Sequence, residues 1–182
     1  MSNKPLYILL AFVILVGVYT VAKDFYMQPA HTAGEKAPDF IGATPSGKVF
    51  KLSDLRGQII LLDFWGSWCG PCIRESAELV KLDTDYGQSS FKEAKGFVIV
   101  SVAIEKDREK WERAIDRLGL TWPYHVIDPV TSFRFFDSPV AKLYGVKEVP
   151  TKFLIDENGI IIEVNPTFEQ IRAYLDQRRQ AQ

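Results

Sequence analysis

Cys69 and Cys72 are the only cysteines in the 182-residue chain, and two residues separate them. Thiols at that spacing can close a disulfide within one helical turn. One of them can then attack a disulfide in another molecule, and the second can resolve the mixed disulfide that forms. The segment Gly66-Ser67-Trp68-Cys69-Gly70-Pro71-Cys72 joins an apolar run to a helical pattern, which puts Cys69 at a helix N-terminus. Unpaired backbone N–H groups and the helix dipole stabilise a thiolate there. Gly70 permits a close approach, and Pro71 gives up no hydrogen bond in a first turn. Two incidental core thiols would explain the spacing alone, but not the strand, the tryptophan, the Gly-Pro pair and the helix together.

Exchange also needs a base, because a buried resolving thiol has a raised pKa and is poorly nucleophilic. Two carboxyls are placed for this. Asp63 is the one acid in the run Ile-Ile-Leu-Leu-Asp-Phe-Trp of residues 59–65, and Glu75 lies about one helical turn beyond Cys72. Each has an ordinary alternative: Asp63 as a carboxylate fixing the loop through backbone N–H groups, Glu75 as a solvated residue near a helix start. Asp63 ranks first, because burial would raise its pKa towards neutrality.

Other chemistry is poorly supported. Two cysteines make neither a four-ligand zinc or iron–sulfur site nor a disulfide-stapled scaffold. Ile73 follows Cys72 where a haem-attachment motif needs histidine, and His31 and His125 lie far from the pair in sequence and read as incidental. The expected cofactor is therefore none beyond the Cys69–Cys72 couple. With 22 Lys plus Arg against 23 Asp plus Glu and no basic block, nucleic acid is not an expected partner.

These residues must be held by an α/β domain. Covered strands are predicted at 59–65 and 97–104, each followed by an amphipathic helix, from Pro71 to before Gly87 and over 107–118. A short strand at 124–127, a short helix at 140–144, a hairpin of 152–155 with 160–164 and a final helix from about 167 to 179 complete the pattern. A small hairpin pairing residues 40–41 with 49–50 precedes it. Strand–helix alternation followed by a hairpin and a helix implies a central mixed sheet covered by helices on both faces. The aromatic stretch of residues 131–137 reads as local packing or as a surface for a partner.

Residues 6–22 are apolar and uncharged, at the short end of the length needed to cross a bilayer. The organisation expected is an anchor or signal sequence at 1–22, a tether at 23–34 and the domain at 35–182. Lys4 before the run, with Lys23 and Asp24 cancelling after it, keeps the N-terminus in the cytoplasm and the domain outside. Cleavage after Thr20-Val21-Ala22 is the rival to a retained anchor.

Over about residues 34–179 the chain resembles the thioredoxin-like superfamily, and within it the membrane-anchored, extracytoplasmic TlpA/ResA-like thiol-disulfide oxidoreductases. The resemblance rests on Ala37-Pro38-Asp39-Phe40, on Asp63-Phe64-Trp65 running into the cysteine motif, and on Tyr144-Gly145-Val146-Lys147-Glu148-Val149-Pro150-Thr151 with Phe153-Leu154-Ile155-Asp156 and Gly159 after it. It implies a cis bond before Pro150 facing the disulfide, with the Val149 backbone and Thr151 beside substrate. It also implies an aspartate beneath the second cysteine at Asp63 and a functional glutamate at Glu75. Gly70 and Pro71 match the dipeptide of reducing thioredoxins, and Trp68 is either a substrate platform or a packing residue. The partners implied are cysteine-containing extracytoplasmic proteins, in some members apocytochromes awaiting haem, and a transmembrane thiol electron donor. An oxidase or isomerase is the alternative activity; a thiol peroxidase or a redox-inert binding module is a weaker one.

Overall fold

The computed structural model describes residues 4–132 and 137–180. The chain opens with α1 (Lys4–Met27), then β1 (Ile41–Ala43), β2 (Val49–Lys51) and a 3-10 turn at Leu52–Leu55. There follow β3 (Ile59–Trp65), α2 (Gly70–Tyr86), β4 (Phe97–Glu105), α3 (Arg108–Leu118) and β5 (Tyr124–Pro129). The chain closes with α4 (Pro139–Tyr144), β6 (Thr151–Ile155), β7 (Ile161–Val164) and α5 (Phe168–Arg178). Phe133, Phe135 and Phe136 of the aromatic stretch lie outside the described residues.

Five strands form one mixed sheet in the order β5-β4-β3-β6-β7, parallel from β5 to β3 and antiparallel across β3, β6 and β7. The fold class expected from sequence is the one observed, with β1 and β2 pairing as a separate antiparallel hairpin. β3 is central and buried along its whole length, because both of its faces are covered. Ile60, Leu62 and Phe64 pack towards the hairpin, the 3-10 turn and α4, while Ile59, Leu61 and Trp65 pack towards α2, α3 and α5. Side-chain alternation therefore turns Asp63 to the α2 side.

Local signals set the helix ends. The Asp107 carboxylate accepts the Lys110 N–H at the start of α3, and Thr167 and Gln170 form a reciprocal capping box at the start of α5. Gly119 and Gly145 end α3 and α4 in the left-handed conformation, with φ of 65° and 64°.

Helix α1 extends to Met27, beyond the boundary drawn at residue 22, and over Leu6–Met27 it is long and apolar enough to cross a membrane by length and composition. The segment after it is hydrogen-bonded to the domain. Ala30 N–H donates to the Tyr144 carbonyl (3.2 Å), Gly34 N–H to Ile161 (2.8 Å) and Ala37 N–H to Gly159 (2.9 Å), while Ile161 N–H donates to Glu35 (2.8 Å). His31 adds side-chain contacts, its Nδ1 2.8 Å from Glu35 Oε2 and its Nε2 3.1 Å from the Leu143 carbonyl. Lys147, three residues before Pro150, donates to the Tyr26 carbonyl and lies over the Tyr26 ring.

Gly145 serves both the α4 terminus and this strap, because a Cβ there would lie 2.4 Å from Ala30 Cβ. A left-handed non-glycine residue costs about 1–2 kcal/mol by itself. Gly119→Ala meets that cost with open space around the new methyl, whereas Gly145→Ala must also displace Ala30. Denaturant unfolding of the two variants is expected to show a larger loss of stability for Gly145→Ala, with faster amide hydrogen exchange at Ala30; equal losses would mean that the strap contributes nothing to stability.

Candidate active site

The chain leaves β3 at Trp65 and begins α2 five residues later, so the Cys69–Cys72 pair sits where strand becomes helix. The two cysteines form a disulfide with Cα atoms 5.3 Å apart, and each residue is only 4% exposed. Cys69 is the N-cap of α2: its backbone is extended, and its Sγ accepts the Cys72 N–H at 3.2 Å. Its own N–H donates to the Gly66 carbonyl at 3.0 Å. Gly70 and Pro71 lie exposed in the first turn, where a proline leaves no donor unsatisfied.

Trp68 is 43% exposed, yet its indole N–H donates to the Ile104 carbonyl at 2.9 Å. The ring folds back over Gly66, where a Cβ would come within 2.6 Å of the indole nitrogen. Glu105, buried at the end of β4, secures the same loop by accepting the Ser67 N–H at 3.2 Å and the Ser67 hydroxyl at 2.5 Å. Across from the loop, the Val149–Pro150 bond is cis, and the Val149 carbonyl oxygen lies 3.7 Å from Cys69 Sγ. The buried Thr151 hydroxyl donates back to the Glu148 carbonyl at 2.8 Å.

Beneath the disulfide a polar row crosses the sheet. Strand register places Lys152 of β6 opposite Asp63 of β3, Asp63 opposite Ser101 of β4, and Ser101 opposite His125 of β5. All four residues are buried within an otherwise apolar layer. The Lys152 ammonium donates to Glu75 Oε2 of α2 at 2.5 Å, forming an ion pair. Asp63, Cys72, Glu75, Leu120 and Pro150 line a narrow crevice of about 10 Å³, room for one water molecule at most.

Burial pushes the Asp63 carboxyl up to about 7; Lys152 opposes that shift and the Glu75 charge adds to it. At the far end of the row, burial pushes His125 down to about 4, so its ring is neutral at neutral pH. That ring stacks on Trp122 and lies 3.2 Å from the Leu120 carbonyl through Nε2, while the Trp122 indole N–H donates to Ser101 Oγ at 3.1 Å.

The fold thus gathers Asp63, Cys72, Glu75 and Pro150 around one crevice and puts Val149 against Cys69. Two residues at the site carry no local signal of their role in the sequence. Lys152 could have been noticed as a cation inside the strand Thr-Lys-Phe-Leu-Ile, but its position opposite Asp63 depends on an antiparallel register. Glu105 is the acid that closes the apolar run at the end of β4. Among the described residues no group of three or more His, Cys, Asp or Glu is placed to hold a metal ion, and the redox group present is the disulfide itself.

Residues 32–175 match the family model described as Redoxin. The chain is 34% identical over 173 residues to the thiol-disulfide oxidoreductase ResA of Geobacillus thermodenitrificans, a match spanning 93% of this chain and 91% of that protein. It is likewise 34% identical to ResA of Geobacillus kaustophilus over the same shares of both chains. Among solved structures, a thiol-disulfide oxidoreductase from Bacteroides fragilis superposes with a TM-score of 0.68 at 30% identity, over 79% of this chain and 98% of that one.

Burial of Asp63 has a measurable consequence for stability. Between its ordinary value of 3.8 and about 7, the unfolded chain releases the Asp63 proton while the folded protein keeps it. The folded state then binds more protons, so this group lowers stability as pH rises through that window and leaves it low above. The loss is on the order of 4 kcal/mol at about 1.4 kcal/mol per pH unit. In the oxidised protein, denaturant unfolding from pH 4 to 8 should show Asp63→Asn gaining on the wild type by that order as pH rises. A constant difference would mean that the carboxyl titrates normally.

Proposed function

Because the chain belongs to the redoxin family and, within the thioredoxin-like superfamily, to the TlpA/ResA thiol-disulfide oxidoreductases, we propose that it reduces disulfides of proteins outside the cytoplasm through Cys69 and Cys72. The observation that carries this reading is the disulfide at the N-terminus of α2, with the Val149 carbonyl 3.7 Å from Cys69 Sγ. A half-buried main-chain edge beside the attacking sulfur can pair with an extended substrate segment while the mixed disulfide exists. Trp68 supplies an apolar surface next to it, and Gly70, Pro71, Pro150 and Thr151 shape the backbone around the contact.

The cycle begins with the dithiol form. The Cys69 thiolate attacks one sulfur of the substrate disulfide; the Cys69–substrate bond forms, the substrate S–S bond breaks, and the first substrate thiolate leaves. Cys72 then gives its proton to the Asp63 carboxylate and attacks Cys69 Sγ, which forms the Cys69–Cys72 bond and releases the second substrate thiolate. Two electrons pass to the substrate, and the enzyme is left as the disulfide. An Asp63 carboxyl near 7 suits the transfer, because at neutral pH it can both accept and return a proton.

The N-terminal apolar helix supports a single-pass anchor with the redox domain on the extracytoplasmic side. Electrons for re-reduction would come through a transmembrane thiol donor, since cytosolic thiols do not reach that compartment. Apocytochromes awaiting haem are one substrate class consistent with the family.

Equilibration of Cys69–Cys72 with glutathione tests the direction of electron flow. A potential near the thioredoxin value of about −270 mV is expected, and one near about −120 mV would make the protein an oxidant. In intact cells Cys72→Ser should accumulate mixed disulfides on Cys69 that Cys69→Ser does not, and membrane fractionation should recover the chain with its first 22 residues. Recovery of a soluble form lacking them would replace the anchor by a cleaved signal.

A further inference from the structure

Two carboxyls, Asp63 and Glu75, line the crevice beside Cys72, and the Lys152 ammonium pairs with the second of them. Lys152 is 6% exposed, and its main chain is fixed on both sides: its N–H donates to Asn165 Oδ1 at 2.9 Å and its carbonyl accepts the Asn165 N–H at 2.7 Å. The side chain starts opposite Asp63 in the β3–β6 register and ends on Glu75 at 2.5 Å, with Nζ 5.4 Å from the centre of the Phe168 ring. One strand thus delivers a cation that starts opposite one acid and bonds to the other, on the helix.

We propose that Lys152 is the positioning residue of the exchange reaction: by pairing with Glu75 it occupies that carboxylate, and leaves Asp63 as the group that takes the Cys72 proton. This rests on the reading of Asp63 as the base. The reasoning is one of charge balance. Low-dielectric surroundings favour a site of zero net charge, and one cation can balance only one of two carboxylates. Direct hydrogen bonding decides which, and the bond goes to Glu75, which is also the more exposed of the two. Asp63 is left within reach of the Lys152 field without a bond to it, so its proton affinity responds to the Lys152 charge as well as to that of Glu75.

The groups facing Asp63 are Lys152 from β6 and Glu75 and Cys72 from α2; Ser101 from β4 does not titrate, and His125 lies one strand further away and is neutral. Changes to the two charged neighbours must then move the Asp63 titration in opposite directions. Replacing Lys152 with Met removes the one charge that favours the Asp63 carboxylate. Replacing Glu75 with Gln removes a repelling charge and frees Lys152 to turn to Asp63.

The test is the pH dependence of single-turnover disulfide exchange in the full-length protein, together with a carbon-13 NMR titration of the Asp63 carboxyl in the oxidised state. Lys152→Met is expected to raise the midpoint of both by about one pH unit or more, and Glu75→Gln to lower both. Lys152→Arg, which keeps a cation opposite Asp63, should return the midpoint towards the wild-type position, as loss of a purely structural contact would not. Slower exchange with unmoved midpoints in Lys152→Met and Glu75→Gln would overturn the proposal, as would shifts of the same sign. Asp63→Asn separates this from failure of the underlying reading: if it leaves the pH profile unchanged, Asp63 is not the base, whereas a lost limb with an unmoved Lys152→Met profile refutes the role of Lys152 alone.

Discussion

A carboxyl group in the middle of a fully covered strand must be accommodated by everything around it. Asp63 loses its water to α2 above and to β4 and β6 on either side, at a cost on the order of several kcal/mol if it is charged. Burial of an aliphatic or aromatic side chain contributes about 1.5–3 kcal/mol, so two or three neighbours in this layer offset that cost. Leu61, Leu79 and Leu154 are among those buried there. The layer is thus apolar enough to make Asp63 a poor carboxylate and stable enough to tolerate it.

The motif and its supporting elements were readable in the chain because they are local. The spacing of Cys69 and Cys72, the Gly-Pro pair and the change from strand to helix periodicity lie within consecutive residues. Strands of type β3 and β4 announce themselves by apolar runs too long to leave a face in water. Asp63 was visible for the same reason, as an acid where that run should be apolar. The cis Val149–Pro150 bond was not readable from the physics of the chain, since an X-Pro pair opening a strand is ordinarily trans; only the family resemblance pointed to it.

The less legible part depends on pairing between distant segments. Lys152 and Asp63 are 89 positions apart and meet only because β6 runs antiparallel to β3 in one register. A slip of one residue would turn Lys152 to the opposite face and bring Phe153 or Thr151 into its place. Glu105 reaches Ser67 across a parallel pair in the same way. The segment after the apolar helix has the composition of a loop, and its backbone bonds are made with Tyr144, Gly159 and Ile161, whose positions no local pattern discloses.

That segment is held chiefly through main-chain groups, and a main-chain hydrogen bond takes little account of which side chain stands beside it. Between Ala30 and Ala37 the anchoring points on the domain are fixed, so the path has a set number of residues to fill it. The side chains that do matter there are few: His31 and Thr32, which both bond the Glu35 carboxylate, Gly34 with its φ of 90°, and the small residue facing Gly145. Length is not free, for an added or missing residue would shift every later donor off its acceptor. A flexible linker has the opposite tolerances, indifferent to length and defined by its composition. The connection between helix and redox domain behaves as a ruler, and insertions and deletions are the changes it resists.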